Sequence, residues 1–358
     1  MRLAQLRQCM EKEQVDGVLI SSELSASYLS GFDFSDGYLA ILANGAYLVT
    51  DFRYTEAAKM GADKAFEVVE ATGSSLSFAM GLLLDGGARR IGYEEESVTV
   101  SLFRRMQTLA EGKAELVAGA SEMLCGLRRV KSEEEIACIG RAQTITDAAF
   151  AHILSMLSLN MTELEVALEL EFFMRKMGAE GMAFDVIAVS GSASSLPHGV
   201  PRDQKLEKGF LTMDFGAKVL GYCSDMTRTV VLGKADAEMK RLYDTVLLAQ
   251  SEALAYLKEG ASCRDADGIA RAIIDGAGYR GCFGHSLGHG VGRYVHEAPR
   301  LSSSAKPEET LVSGNVVTVE PGIYLAGKYG CRIEDMVVIK EGGIENLTHS
   351  PKQLIELF

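Results

Sequence analysis

The sequence predicts an α/β domain over residues 1–125 followed by an α+β domain over residues 126–358. Three observations predict this. The chain has 358 residues, more than one hydrophobic core usually organises. Its first third alternates short apolar runs with stretches of helical period, the pattern of a sheet covered by helices. Beyond Leu127 the order becomes helices, strands, helices, strands, which reads as two α+β halves packed together.

Leu3, Leu6 and Met10 fall on one helical face, and Val18-Leu19-Ile20 follows as a strand. Tyr38 to Leu42 and Ala46 to Val49 read as strands joined by a turn at Asn44-Gly45, a strong short-range hairpin signal. Further strands are expected at Phe66 to Val69, Arg90 to Tyr93 and Glu115 to Val117, with helices around Leu76 to Leu84 and Val98 to Leu109. The segment Leu127 to Glu135 turns from basic to acidic, and Ser132 with Glu135 fits a capping box that opens a helix. Ile136, Ile139, Ala142, Ile145 and Ala148 continue it at helical spacing. Thr162 and Glu165 form a second box, opening a helix to about Lys176 that Gly178 and Gly181 end. Strands are expected at Val186 to Val189, Phe210 to Phe215 and Tyr222 to Leu232. Helices follow near Asp236 to Lys258 and Arg264 to Gly276, then strands at Val316 to Glu320 and Met336 to Ile339.

The formal net charge of -13 argues against nucleic-acid phosphates and anionic membranes as partners. No apolar run approaches the ~18 residues that span a bilayer. The first residues carry Glu11, Lys12, Glu13 and Gln14 where a secretory signal would be apolar. The seven cysteines are odd in number and none forms a CxxC pair. Reduced thiols in a cytoplasmic protein are the expectation.

Five residues of the second domain stand out as candidate metal ligands: Asp214, Asp225, His289, Glu320 and Glu334. Asp214 interrupts an apolar strand between Met213 and Phe215, and Glu320 ends the run Val316 to Val319. A lone exposed carboxylate means little, but burying four together is costly unless cations neutralise them. Two divalent cations would bring +4 against -4. Oxygen ligands with one imidazole favour Mn²⁺, Co²⁺, Fe²⁺ or Zn²⁺. Of six histidines, His285, His289 and His296 crowd together, and His198 follows Ser195-Leu196-Pro197. Clustered imidazoles suit acid–base work near neutral pH. His152 and His349 read as structural or exposed.

In order, the chain carries Pro-His, Asp-Phe-Gly, Ser-Asp-Met-Thr-Arg-Thr, Gly-His-Gly-Val-Gly, Val-His-Glu, Glu-Pro-Gly-Ile-Tyr and Arg-Ile-Glu-Asp. This set resembles the Xaa-Pro aminopeptidases and Xaa-Pro dipeptidases (prolidases) of the pita-bread metallopeptidases, family M24. The first domain is similar to the creatinase/prolidase N-terminal domain through Tyr28-Leu29-Ser30-Gly31-Phe32 and Thr50-Asp51-Phe52-Arg53-Tyr54. The resemblance implies a pita-bread catalytic domain with two divalent cations, Mn²⁺ first among the candidates. Asp214 would chelate one metal, Asp225 and Glu334 would bridge the pair, and His289 and Glu320 would complete the other shell. His198 and His296 would contact the scissile carbonyl, and His285 would lie near the proline side. A bridging hydroxide would attack the carbonyl before proline, with Glu320 relaying the proton. A homodimer is implied as well. Arg293 and Cys331 depart from the usual pattern without removing a ligand.

Four readings follow. They are an aminopeptidase on longer peptides, a prolidase restricted to dipeptides, a metal-free creatinase-like hydrolase, and a non-catalytic peptide-binding module. The five intact ligand positions disfavour the last two. A methionine aminopeptidase usually lacks such an N-terminal domain.

Overall fold

Alternation along Gly17–Ile20 sets the architecture of the N-terminal unit, as seen in a computed structural model that describes residues 2–358. Val18 and Ile20 enter one apolar core and Leu19 enters another, and all three are fully buried. Successive side chains of a strand point to opposite faces, so a run buried on both sides belongs in the middle of a covered sheet. The sheet has six strands, in the order Glu67–Glu70, Ala46–Thr50, Gly37–Leu42, Gly17–Ile20, Arg90–Tyr93 and Glu115–Ala118. Gly37–Leu42 is antiparallel to both neighbours and the remaining pairs are parallel. Leu6, Met10, Tyr28 and Leu29 from two helices pack one face, and Leu76, Leu83 and Met106 from two others pack the second.

Three helices, Glu23–Ser30, Phe52–Gly61 and Ala120–Arg129, are missing from the sequence reading of this unit. The first buries Ser25, Ser27 and Ser30 beside Tyr28 and Leu29, so polar residues hide its apolar face. The second buries only Thr55 and Ala58 and leaves Phe52 exposed, so it lacks an apolar period. Residue 125, the expected boundary, falls within the helix Ala120–Arg129, and the two compact units divide between Leu127 and Arg128.

In the second unit both capping boxes are formed, opening the helices Glu133–Met156 and Glu163–Lys176. These helices share a core with one face of the sheet built on Gly209–Phe215 and Met226–Leu232. A second helix pair, Ala237–Tyr256 and Cys263–Ile274, packs with the five-stranded sheet around Val316–Val319 and Asp335–Lys340. The predicted two α+β halves are therefore present. The strand expected over Tyr222 to Leu232 is broken: Tyr222–Cys223 and Met226–Leu232 are separate, with Ser224 and Asp225 between them. No helix among the described residues is long and apolar enough to cross a membrane. All seven cysteines are free thiols.

Candidate active site

Strand alternation places the first acid. Leu211, Met213 and Phe215 face the helix pair Glu133–Met156 and Glu163–Lys176, so Thr212 and Asp214 face the opposite way. On the antiparallel neighbour, Thr227 lies opposite Asp214 and Thr229 opposite Thr212. The Thr212 and Thr229 hydroxyls are 3.0 Å apart, which makes this inner surface polar. Asp225 occupies the break before Met226–Leu232.

His289 arrives on Gly288–Gly290, where the backbone runs too close to its neighbours for side chains on either flank. A Cβ on Gly288 would lie 2.0 Å from the Thr318 carbonyl oxygen, and one on Gly290 would lie 2.3 Å from that of Ala298. Such approach is open only to glycine. Glu320 follows Val316–Val319, and Glu334 stands between Tyr329–Arg332 and Asp335–Lys340.

Ligand atoms of Asp225, His289 and Glu334 all lie within 4.8 Å of one another. His289 Nε2 is 3.6 Å from Asp225 Oδ2 and 3.3 Å from Glu320 Oε1. The imidazole donates from Nδ1 to the Gly290 carbonyl at 3.1 Å, which leaves Nε2 as the ligand atom. Asp214 Oδ1 and Glu334 Oε1 are buried with no hydrogen-bond partner among the described residues. Orphaned buried acceptors are rare in folded proteins. Here they point to a missing positive partner, and hard oxygen donors with one imidazole suit a divalent cation.

The acids are electrostatically strained against one another. Burial, then the neighbouring carboxylates, push Asp225 well above the usual carboxylate range, and Glu334 likewise. Burial also raises Asp214, against the pull of Arg332. Glu320 goes the other way: burial would raise it, but His289, His285 and Arg332 together hold it at about 2. A bound cation would relieve the repulsion that protonation otherwise has to relieve.

Arg332 and Tyr324 belong to this site, and the sequence reading misses both. The buried Arg332 guanidinium donates to Asp214 Oδ2 at 2.6 Å, Tyr324 Oη at 2.7 Å and Thr227 Oγ1 at 2.9 Å. Tyr324 in turn donates to His285 Nε2 at 2.9 Å, while His285 Nδ1 donates to the Ser286 carbonyl. Burial pushes the Tyr324 hydroxyl up to about 12, so it stays a donor. The simple balance of two divalent cations against four carboxylates therefore omits a guanidinium. The signal in sequence was the arginine two residues before Glu334, but its partner Asp214 is 118 positions away.

All eight predicted site residues line one cavity of about 470 Å³. Asp214, Asp225, His289, Glu320 and Glu334 share this lining with His285, His198 and His296, and the His296 ring packs edge-on against His289 with centroids 4.3 Å apart. Phe184, Val186, Val200 and Val295 supply apolar surface, and Arg300, also missed in sequence, supplies an exposed cation. Arg293 does not reach the cavity. It crosses the turn at Gly221, donates to the Leu220 carbonyl and lies over the Tyr222 ring. Cys331 is a fully buried core residue. His152 is stacked on Phe173 and bonded to Glu169, away from the cavity.

Comparison with known proteins places this geometry. Residues 137–341 match the model of metallopeptidase family M24, and residues 2–130 match the creatinase/prolidase N-terminal domain. An uncharacterized peptidase of Bacillus subtilis, YqhT, is 44% identical over the full length of both chains. The structure of an Xaa-Pro dipeptidase from Bacillus anthracis superposes with a TM-score of 0.95 at 39% identity, covering 99% of each chain. That of an X-Pro aminopeptidase from Thermotoga maritima superposes with a TM-score of 0.90 at 40% identity, covering 98% of this chain and 100% of the other. A creatinase-type N-terminal domain joined to a pita-bread domain, with a buried acid–imidazole cluster at its centre, makes this chain a peptide-bond hydrolase belonging to metallopeptidase family M24.

Proposed function

We propose that the enzyme removes the N-terminal residue of peptides whose second residue is proline. Two divalent cations, Mn²⁺ first, would be held by Asp214, Asp225, His289, Glu320 and Glu334. The observation that carries this reading is the pair of orphaned carboxylate oxygens on Asp214 and Glu334, two residues that line a cavity also holding four histidines. Bound cations supply Lewis acidity and a water of lowered pKa. The protein's own groups do the rest. His198 and His296 line the cavity and would donate to the scissile carbonyl as it gains charge. Glu320 accepts a proton and passes it to the departing prolyl nitrogen. The X-Pro amide has no N–H, and the apolar surface of Val200, Val295 and Phe184 suits a pyrrolidine ring. The Xaa-Pro specificities named for the Bacillus anthracis and Thermotoga maritima proteins agree with this reading.

Arg300 favours a second reading, restriction to dipeptides. Its exposed guanidinium lines the cavity and would pair with the carboxylate of Xaa-Pro, which in a longer peptide is an amide. Initial rates on Ala-Pro and Ala-Pro-Ala, with Mn²⁺ added to metal-stripped protein, decide between them. Turnover of both identifies the aminopeptidase. Turnover of Ala-Pro alone identifies the dipeptidase, and Arg300→Ala is then expected to raise its KM about tenfold, the loss of one charge-assisted contact. Turnover of neither, with metal bound, contradicts both.

The enzyme is proposed to act in the cytoplasm, which suits its free thiols, and as a homodimer. Light scattering at micromolar concentration is expected to return twice the 38.6 kDa chain mass. A mass equal to one chain would refute the dimer.

A further inference from the structure

Glu163 is the first residue of the helix Glu163–Lys176, a position where acids normally face solvent and the helix dipole. Here its side chain is fully buried. Its two oxygens accept five hydrogen bonds. Oε1 receives Ser190 N at 2.7 Å, Ser190 Oγ at 2.9 Å and Arg202 Nη2 at 2.6 Å. Oε2 receives Arg202 Nε at 2.7 Å and Arg202 N at 3.1 Å. Two of these form the bidentate guanidinium–carboxylate fork, the geometry that fixes direction as well as distance. Burial works to raise the Glu163 pKa, but Arg202 and Ser190 outweigh it and keep the carboxylate ionised.

The residues joined here frame one stretch of chain. Ser190 ends the strand Ile187–Ser190, and Arg202 ends the segment Leu196–Arg202 that carries His198. The first amides of the same helix, Glu163 N and Leu164 N, donate to the Gln204 and Arg202 carbonyls. At its other end the segment is held by Arg332, which donates to the Pro197 carbonyl at 3.3 Å. Between these two anchors the His198 ring is exposed and makes no hydrogen bond to any described residue. With no hydrogen bond of its own to hold the ring, the backbone anchors set the point from which the imidazole reaches into the cavity and the rotamers open to it.

We propose that the Glu163–Arg202 fork is a positioning pair, which holds the Leu196–Arg202 segment so that His198 meets the substrate carbonyl. The proposal rests on the role given to His198 above. Misplacing a catalytic group by about 1 Å lowers turnover by up to about a hundredfold. Arg202 is 37% exposed, so it can be replaced with less disruption than Glu163.

The test is a double-mutant cycle on Ala-Pro hydrolysis with Arg202→Ala, His198→Ala and the combination. Bound metal is measured on each purified holoenzyme. Arg202→Ala is expected to lower kcat on the order of ten- to a hundredfold with bound metal unchanged. In the His198→Ala background the same replacement is expected to change kcat by less than about twofold, because the group it positions is gone. Arg202→Lys, which keeps the charge and loses the fork, should fall between and runs the same cycle if Arg202→Ala does not fold. Losses that multiply independently in the double variant, or a loss of bound metal with Arg202→Ala, overturn the proposal. A fully active His198→Ala overturns the role of His198 and the positioning pair with it. A damaging His198→Ala beside a harmless Arg202→Ala removes only the pair.

Discussion

Glu334→Gln is expected to lower peptide hydrolysis by at least about 10³-fold, some 4 kcal/mol of lost transition-state stabilisation, without unfolding the protein. The reason lies in the two oxygens of this side chain. Oε2 accepts from Thr227 Oγ1 at 2.8 Å, and a glutamine carbonyl preserves that bond. Oε1 is buried without a partner beside Asp225 and His289, so the amide removes the charge where a cation is proposed to bind. Because the carboxylate is raised by burial and then by its acidic neighbours, removing its charge relieves repulsion. The metal-free variant should therefore unfold at or above the midpoint of the metal-free parent. Asp225→Asn should behave alike, since burial and Glu334 raise its pKa in the same manner. The checks are kcat/KM on Ala-Pro, bound metal by mass spectrometry and thermal melts with and without Mn²⁺. Near-parental turnover in either variant contradicts the ligand assignment.

Asp335→Ala is expected to cost about 3–5 kcal/mol of stability. Asp335 is fully buried and accepts from Arg228 Nη2 at 2.8 Å, Lys352 Nζ at 2.6 Å and Asn346 Nδ2 at 2.9 Å. Arg228 is itself 1% exposed, so the alanine leaves an uncompensated cation in the interior. Burial works to raise the Asp335 pKa, but Arg228 and Lys352 outweigh it. Arg228 also donates to the Pro351 and Ser350 carbonyls, which ties the C-terminal segment to Met226–Leu232. Loosening one therefore loosens the other. The midpoint of thermal unfolding should fall on the order of 10 °C. Glu171→Ala, which breaks the exposed pair with Arg175 one helical turn away, should cost under about 1 kcal/mol. Equal effects of the two replacements would refute the account of the buried pair.

What could be read in the sequence was what local chemistry decides. The boxes Ser132–Glu135 and Thr162–Glu165 are satisfied within four residues, so their helices were visible before any tertiary context. The Asn44-Gly45 turn is local in the same sense. Asp214 and Glu320 were visible because a charge within or ending an apolar run demands an explanation, and Asp225, His289 and Glu334 through the motifs that carry them. Groups that act through distant partners were not legible. Arg332 reads as an ordinary surface arginine until Asp214, 118 residues earlier, is brought against it. Glu163 reads as a helix-dipole acid until Arg202 and Ser190 close over it. The break at Ser224-Asp225 was hidden because Tyr222 to Leu232 is apolar at both ends and rich in β-branched residues, which reads as one strand. At the break, Ser224 Oγ accepts from Ala217 N at 2.9 Å, a contact with a residue of another strand. The helix Glu23–Ser30 was hidden by the serines it buries.

The central claim is that Asp214, Asp225, His289, Glu320 and Glu334 hold two catalytic cations. The measurement that meets it most directly is a titration of metal-stripped protein with Mn²⁺, following bound metal and Ala-Pro hydrolysis together. The account predicts no hydrolysis without metal, and activity that saturates at two equivalents per chain. Hydrolysis that persists in the stripped protein, or full activity with no metal retained, would contradict it.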